Sequence, residues 1–201
     1  MSEESATDET AGDGGEPDAD TAIVLDFLAR GNPDADRPQY RRSPVAYAVG
    51  EAEFTLWELA LTDDADISIA DRITVTGDDR DPGIEAARTV GYEDLSGGAE
   101  SELEYVVEEL VEEYEQRFVD FYNEAQPITL RLHQLNLLPG IGKKLRNNIL
   151  DERERKPFDS FADVADRVSG LHDPKDVIVD RILEELREED LKYRNFVTGG
   201  S

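Results

Sequence analysis

Short apolar runs, several of them with period-two spacing, recur along the first half of the chain. Residues 22–28 form a short apolar, β-branched run, whereas residues 45–49, 53–62 and 67–75 follow a period-two pattern, the last with a turn at Asp71. These runs predict strands, and Gly, Pro and Asp separate them. Several short strands at close spacing predict a small antiparallel β-barrel over residues 21–98. We expect an OB-like barrel, although the pattern alone does not separate it from an SH3-like barrel. Residues 78–99 are rich in Gly, Asp and Ser and are expected to be a connection.

The second half of the chain changes to the three- and four-residue apolar spacing of helices. One amphipathic helix is predicted over residues 99–124, with glutamates on its remaining faces, and it connects the barrel to the rest of the chain over residues 99–125. Further helices are predicted at 128–136, 143–154, 161–168 and 174–189, which makes residues 126–190 an all-α domain of two helical hairpins. Residues 191–197 predict one more strand, followed by a frayed end to residue 201. The predicted fold class is α+β.

The first hairpin contains two glycines one residue apart, in the sequence LNLLPGIGKK. Gly140 and Gly142 allow positive φ and a close approach of another molecule to the backbone. The helix that follows begins with Lys143 and Lys144, whose charges oppose the positive end of the helix dipole. We therefore expect an anion at this turn, and phosphate is the natural candidate.

Charge is the strongest compositional signal. The 201 residues include 48 acidic and 21 basic ones, for a net charge of −27, and the acids are spread over the whole chain. Pervasive acid with few lysines is typical of proteins from a high-salt cytoplasm, so we expect a halophilic source, and the low pI then does not argue against nucleic-acid binding. Residues 1–20 hold eight acids and no base, and are predicted to be a disordered acidic tail.

Other features of the composition exclude several classes of protein. The absence of cysteine excludes disulfides, thiolate metal sites and cysteine nucleophiles. No apolar run reaches the length of a membrane span, and the N-terminus carries no signal-peptide pattern, so we expect a cytoplasmic protein without a membrane partner.

The scarce cations are concentrated in two places. Residues 131–167 contain eight bases against six acids, including three of the five lysines. This excess favours phosphate binding over simple solvation of the lysines. The second concentration is the predicted barrel loop 37–42, where Arg41 and Arg42 either face nucleic acid or pair with nearby carboxylates. The sequence leaves these two alternatives open.

The glycine hairpin carries a resemblance to known proteins. Leu135-x-x-Leu138-x-Gly140-Ile141-Gly142 matches the helix-hairpin-helix pattern. Together with the stretches ILDERERKPFDSFADVADRV and RILEEL…KYRNFV, the chain resembles an archaeal family, the domain of unknown function DUF655, over about residues 21–198. That family is described as joining an OB-like domain to a tandem helix-hairpin-helix domain, with predicted nucleic-acid binding.

The resemblance implies roles for individual residues. In the helix-hairpin-helix class, hairpin amides bind a phosphate without reading sequence, which here implies the backbone around Gly140, Ile141, Gly142 and Lys143, with the Lys143 and Lys144 side chains on neighbouring phosphates. Arg146 stands where the class often has a small residue, so either the two helices cross more loosely or Arg146 itself points at the ligand. The second hairpin has only Gly170 and no adjacent lysine, and we expect it to be structural.

Catalysis finds little support in the sequence. His133 and His172 have no partner at metal-ligand spacing, and His133 is expected to pack or to cap a helix. Glu154-Arg155-Lys156 spells a nuclease-like motif, but at a helix end rather than on a strand. A Walker A loop would require glycine at position 137, where leucine stands, and no dinucleotide-binding glycine motif follows a strand. No metal or cofactor is expected.

The sequence thus predicts a non-catalytic nucleic-acid-binding protein, with RNA slightly favoured over DNA because OB barrels commonly bind single strands and structured RNA. One alternative is a protein–protein adaptor whose acidic helix 99–124 docks a basic ribosomal or transcription protein. A metal-dependent nuclease is a less favoured alternative.

Overall fold

A five-stranded antiparallel sheet forms the first layer of the protein. The computed structural model describes residues 16–31 and 43–198. Its strands are β1 (Thr21–Leu28), β2 (Val45–Gly50), β3 (Leu56–Leu61), β4 (Arg72–Thr74) and β5 (Ile84–Thr89). They lie in the order β4-β1-β2-β3-β5 and curl into half of a barrel. Together with the five helices described below, the sheet confirms the predicted α+β class.

The strand predictions are correct for β1 and β2 and need correction elsewhere. The strand predicted over residues 53–62 begins only at Leu56, because Phe54 has φ +53°, which no strand residue adopts. The run predicted over 67–75, with a turn at Asp71, forms a strand only in β4. The turn is present, and in it Ser68 N–H donates to the Asp71 carboxylate at 2.6 Å. Strand β5 lies inside the predicted connection, and its small, exposed residues hide the alternation of an edge strand.

The predicted connecting helix is two helices. Helix α1 (Gly97–Glu113) begins after Ser96, whose Oγ accepts the Ala99 N–H at 3.1 Å, and α2 (Glu115–Glu124) follows a break at Tyr114. The Tyr114 hydroxyl donates to buried Glu51 at 2.9 Å, beyond the end of β2. Burial, with this hydrogen bond, raises the pKa of Tyr114 to about 12, so the hydroxyl remains a donor. The break therefore fixes the helix pair to the corner of the sheet.

Three of the four predicted helices of the second half are confirmed: α3 (Lys143–Arg155), α4 (Phe161–Arg167) and α5 (Pro174–Arg187). The helix predicted over 128–136 is wrong. Thr129 Oγ1 accepts the N–H groups of Arg131 and Leu132 at 3.2 and 3.0 Å, which closes a tight loop, and only Gln134–Leu137 forms a single 3₁₀ turn. Local side-chain hydrogen bonds to the backbone compete with the helix at this position.

The strand predicted over 191–197 is also wrong, although the segment does return to the sheet. The buried Glu185 carboxylate accepts the N–H groups of Asn195, Phe196 and Val197 at 2.7, 2.9 and 3.0 Å. These amides are therefore not available to a neighbouring strand. Thr198 N–H reaches the Glu53 carbonyl at 3.4 Å.

The sheet and the helices share one hydrophobic core. Leu25, Tyr47 and Val49 of the sheet belong to the same buried cluster as the inner faces of all five helices, and α1 contacts both β1 and α5. A second buried cluster lies within the sheet region, around Val24, Leu59 and Ile73. Within the described ranges, no helix combines the length and the apolar character needed to cross a membrane.

Two predicted segments fall partly or wholly outside the described residues. Of the acidic tail predicted over residues 1–20, residues 1–15 lie outside, whereas Asp20 is placed against the sheet and accepts a hydrogen bond from the Thr76 hydroxyl. Residues 199–201 of the predicted frayed end also lie outside.

Candidate nucleic-acid interface

Residues 138–142, the glycine turn, connect the 3₁₀ turn Gln134–Leu137 to α3. Gly140 has φ +74°, the left-handed conformation that side chains disfavour, and the Ile141 N–H closes the turn onto the Leu138 carbonyl at 3.2 Å. The Leu138 and Ile141 side chains are buried in the core, so they anchor the turn from below. Ile141 was predicted as a site residue. Its side chain is buried and its N–H is bonded within the turn, so it anchors the turn.

The outer side of the turn presents open backbone. Gly142 precedes α3 as its N-cap and has no side chain that could accept the first N–H groups of the helix. Within the described ranges, the N–H groups of Lys143, Lys144 and Leu145 donate no hydrogen bond. A Cβ built at Gly140 or Gly142 would meet no atom within 4 Å. An anion can therefore approach these amides without a steric barrier.

The two lysines of the turn have no carboxylate partner among the described residues, although the chain carries a net charge of −27. Lys143 and Lys144 are exposed, and no described carboxylate lies within 4.0 Å of either ammonium group. Eight of the sixteen other arginines and lysines of the described residues form ion pairs. The other described cations without a carboxylate partner fall into two groups. Four donate to neutral acceptors: Arg117, Arg146, Arg153 and Arg194. Four have no described hydrogen-bond acceptor: Arg30, Arg80, Arg131 and Lys192.

Arg146 has a different role from the two lysines. Its Nη1 donates to Asn136 Oδ1 at 3.1 Å, and its Nε and Nη2 donate to Asn147 Oδ1 at 3.2 and 3.0 Å. Asn136 in turn donates from Nδ2 to the Ile141 carbonyl at 3.1 Å. The guanidinium is thus half-buried behind the turn and braces it through Asn136. Sequence reasoning missed Asn136, because a lone asparagine gives no signal until the turn brings it to position 141.

A second turn repeats the geometry of the first. Leu171 N–H bonds to the Val168 carbonyl at 3.1 Å, and Gly170 has φ +97°, matching the bond and the glycine of the glycine turn. Asp173 stands at the start of α5, where an acid complements the helix dipole but repels phosphate. The second turn therefore has the shape of the first without its charge.

The second turn packs against the helix that follows the first. A Cβ at Gly170 would lie 3.8 Å from Leu145 Cδ1, and Asn148 Nδ2 donates to the Ser169 carbonyl at 3.4 Å. The second turn thus supports α3 from behind, which fits the structural role expected for it.

Helix α5 lines the other side of the glycine turn. Arg181 and Glu184 face residues 136–142 across a shallow groove of about 590 Å³. Sequence reasoning missed both residues. The sequence gives one indication of Arg181: it lies between Ile178 and Ile182, at the spacing of the buried apolar residues of α5.

The remaining predicted contacts lie elsewhere. Arg41 and Arg42, with the rest of loop 37–42, fall outside the described residues. In the described part of the sheet, Arg72 pairs with Glu51 and Glu113, and Arg88 pairs with Glu58 at 2.8 Å. The sheet therefore contributes no unpaired cation cluster from the residues that the structure describes.

His133 precedes the glycine turn, and its pKa is set by burial and by neighbouring positive charges. His133 Nδ1 accepts the Leu135 N–H at 3.1 Å and caps the 3₁₀ turn, as the capping interpretation predicted. Burial lowers the pKa of His133, and the charges of Arg153 and Arg146 lower it further. The neutral imidazole is thus the form that fits this position.

The nuclease-like motif at the end of α3 does not form a metal centre in the described residues. Lys156 pairs with Asp159, and Arg155 pairs with Glu152 at 2.6 Å. Among residues 16–31 and 43–198 there is no group of three or more His, Asp or Glu placed to hold a metal ion.

Comparisons with known proteins agree on one family. The family model described as "Protein of unknown function (DUF655)" matches residues 18–198. "Uncharacterized protein MJ0038" of the archaeon Methanocaldococcus jannaschii is 41% identical over 177 residues, which is 88% of this chain and 78% of that protein. The crystal structure of Af1531 from the archaeon Archaeoglobus fulgidus is 42% identical, with a TM-score of 0.78, and covers 89% of this chain and 99% of its own.

Proposed function

The chain belongs to the DUF655 family, and we propose that it is a non-catalytic nucleic-acid-binding protein whose glycine turn binds the phosphate backbone. In this proposal the N–H groups of Lys143, Lys144 and Leu145 bind one phosphate at the start of α3. The side chains of Lys143 and Lys144 contact its neighbours along the strand. Such contacts fix the position of the protein on the nucleic acid without reading its sequence.

The observation that carries the proposal is the coincidence of three properties at one turn. Among the residues that the structure describes, the amides of Lys143, Lys144 and Leu145 are unbonded, no atom fills the space over the two glycines, and the adjacent lysines have no carboxylate partner in a chain of net charge −27. Each property alone occurs in ordinary proteins. Together they provide hydrogen-bond donors, steric access and positive charge at the same point, which is what a phosphate requires.

We further propose that the two turns form a tandem helix-hairpin-helix unit of which only the first contacts the ligand. The matching bonds and positive-φ glycines support a common origin of the two hairpins. Asp173 at the start of α5 argues against phosphate at the second turn. The curled five-stranded sheet fits an OB-like domain, and it favours single-stranded or structured RNA slightly over DNA.

The test is fluorescence anisotropy with a short single-stranded RNA at the working salt concentration. Lys143→Glu/Lys144→Glu is expected to weaken binding at least tenfold, because two phosphate contacts become repulsive. The control is Arg80→Glu/Lys192→Glu, which makes the same charge change at two exposed cations far apart in sequence from the turn. An equal loss of RNA affinity in both variants would show that only net charge matters. If the turn variant, Lys143→Glu/Lys144→Glu, binds RNA as tightly as the wild type, the glycine turn is not the binding site.

A protein–protein adaptor is the second candidate, supported by the outer face of α1. Tyr105 is 67% exposed on a helix whose other exposed positions are largely glutamates. An aromatic residue surrounded by acids could contact a basic ribosomal or transcription protein. A pull-down that survives nuclease treatment and is lost in Tyr105→Ala would favour this candidate.

A further inference from the structure

The groove beside the glycine turn has a charged wall that the proposed phosphate contacts do not use. Residues 136–142 form one side, and α5 contributes Arg181 and Glu184 to the other. Arg181 is only 4% exposed, so its guanidinium is held in place and is not a freely moving surface charge.

Three acceptors hold the Arg181 guanidinium, and they differ in burial. Its Nε donates to Glu185 Oε1 at 2.7 Å, and its Nη2 donates to the Tyr193 carbonyl at 2.6 Å. The Glu185 side chain is fully buried and is also bound to three backbone N–H groups. These two acceptors therefore fix the guanidinium whatever happens in the groove.

The third acceptor is on the groove side. Nη1 of Arg181 donates to Glu184 Oε2 at 2.7 Å, and the Glu184 side chain is 39% exposed, with no other partner among the described residues. Rotation of Glu184 into solvent would free one edge of the guanidinium without disturbing Glu185 or Tyr193. A partly exposed ion pair of this kind is weak, so an incoming anion can compete for its place.

We propose that Arg181 is a further phosphate-binding residue and that Glu184 occupies its free edge until a phosphate replaces it. This inference rests on the proposed function of the glycine turn and adds a second phosphate of the same strand in the groove. A phosphate oxygen would take the Nη1 donor in a charge-assisted hydrogen bond, while Glu185 keeps the guanidinium oriented. Glu184 then lowers affinity in two ways: it occupies the donor, and its charge repels the strand.

Glu184→Gln tests the inference, because it removes the competing charge at an exposed position and leaves the buried part of the network intact. Its matched control is Asp180→Asn, which removes one charge from an exposed position one turn earlier on α5 and outside the groove. With a short single-stranded RNA, Glu184→Gln is expected to bind about fivefold or more tightly than Asp180→Asn, the gain from one freed charged donor. A difference within twofold would overturn the inference.

NMR of the guanidinium provides a readout that net charge alone would not move. The Arg181 Nε–H resonance of the full-length protein is expected to shift when the same RNA is added to saturation. A resonance that stays in place would overturn the inference. The turn variant separates the two claims: if Lys143→Glu/Lys144→Glu loses binding while Glu184→Gln equals Asp180→Asn, only the role of Arg181 fails. If the turn variant binds like the wild type, the proposed function itself fails.

Discussion

The two glycines of the turn should respond differently to substitution by alanine, because only Gly140 has a backbone conformation that favours glycine. Gly140 has φ +74°, so an alanine there is strained by about 1–2 kcal/mol. For a chain of this length, that corresponds to a fall in Tm of about 2–8 °C. Gly142 has φ −81° and ψ −178°, an extended conformation that alanine adopts freely, and its Cβ would meet no atom within 4 Å.

Alanine at position 142 should therefore leave the fold almost unchanged. The weaker N-cap preference of alanine is offset by the smaller entropy of the unfolded chain, and the two effects together change the free energy of unfolding by less than about 1 kcal/mol. The new methyl group instead occupies the space through which a phosphate reaches the amides of α3. Loss of one charged hydrogen bond costs about 1.5–3 kcal/mol, which is about tenfold or more in affinity.

The assay compares both variants by thermal unfolding and by RNA binding. Gly140→Ala should lose stability, whereas Gly142→Ala should keep its Tm and lose affinity. If Gly142→Ala keeps both, the open backbone above the turn is not used by a ligand. If it loses stability as much as Gly140→Ala, the conformation assigned to residue 142 is wrong.

Two further predictions concern titration and stability. His133 stays neutral in the folded protein to a lower pH than in the unfolded chain, whose ordinary pKa is 6.5, so the free energy of unfolding should fall as the pH decreases below 6.5. His133→Asn keeps a capping acceptor and should flatten this dependence in urea titrations at several pH values; an unchanged dependence would contradict the assignment. Glu185→Gln should lower the free energy of unfolding by about 3 kcal/mol, because it breaks a buried ion pair that also holds the C-terminal segment. Glu188→Gln is the control, because it makes the same substitution at a nearby exposed position. Equal unfolding midpoints for Glu185→Gln and Glu188→Gln would contradict the role of Glu185.

The elements that the sequence predicted well are those whose signal is local. Strands β1 and β2 and helices α3, α4 and α5 have strong apolar periodicity and clear stop signals, and all five are present close to their predicted bounds. The glycine turn was also predicted, since two glycines before two lysines constrain both the backbone and the local charge.

The predictions failed where a side chain from elsewhere, or a local polar group, decides the backbone. Thr129 and His133 take the amides of a segment whose apolar spacing suggested a helix. Glu185 does the same for the apparent strand at 191–197. Tyr114 bends the long helix because Glu51 lies at the corner of the sheet. Tertiary position overrides local propensity in each case.

The residues of the candidate site also divide into those that local sequence predicts and those that only the folded chain brings together. Gly140, Gly142, Lys143 and Lys144 are contiguous, so the sequence alone could place them together. Asn136 reaches the turn by folding back within the hairpin, and Arg181 and Glu184 arrive from a helix that begins more than thirty residues later. Their part in the site is visible only once α5 is packed against the turn.

The salt dependence of RNA binding reports how many phosphates the glycine turn contacts. Each lost phosphate contact should reduce the slope of the logarithm of the association constant against the logarithm of salt concentration by about 0.7 for single strands. Lys143→Glu/Lys144→Glu should therefore show a slope smaller by about 1.4 than that of the wild type, together with weaker binding. Arg80→Glu/Lys192→Glu should keep the wild-type slope. A turn variant that keeps both the affinity and the slope of the wild type would contradict phosphate binding by the glycine turn.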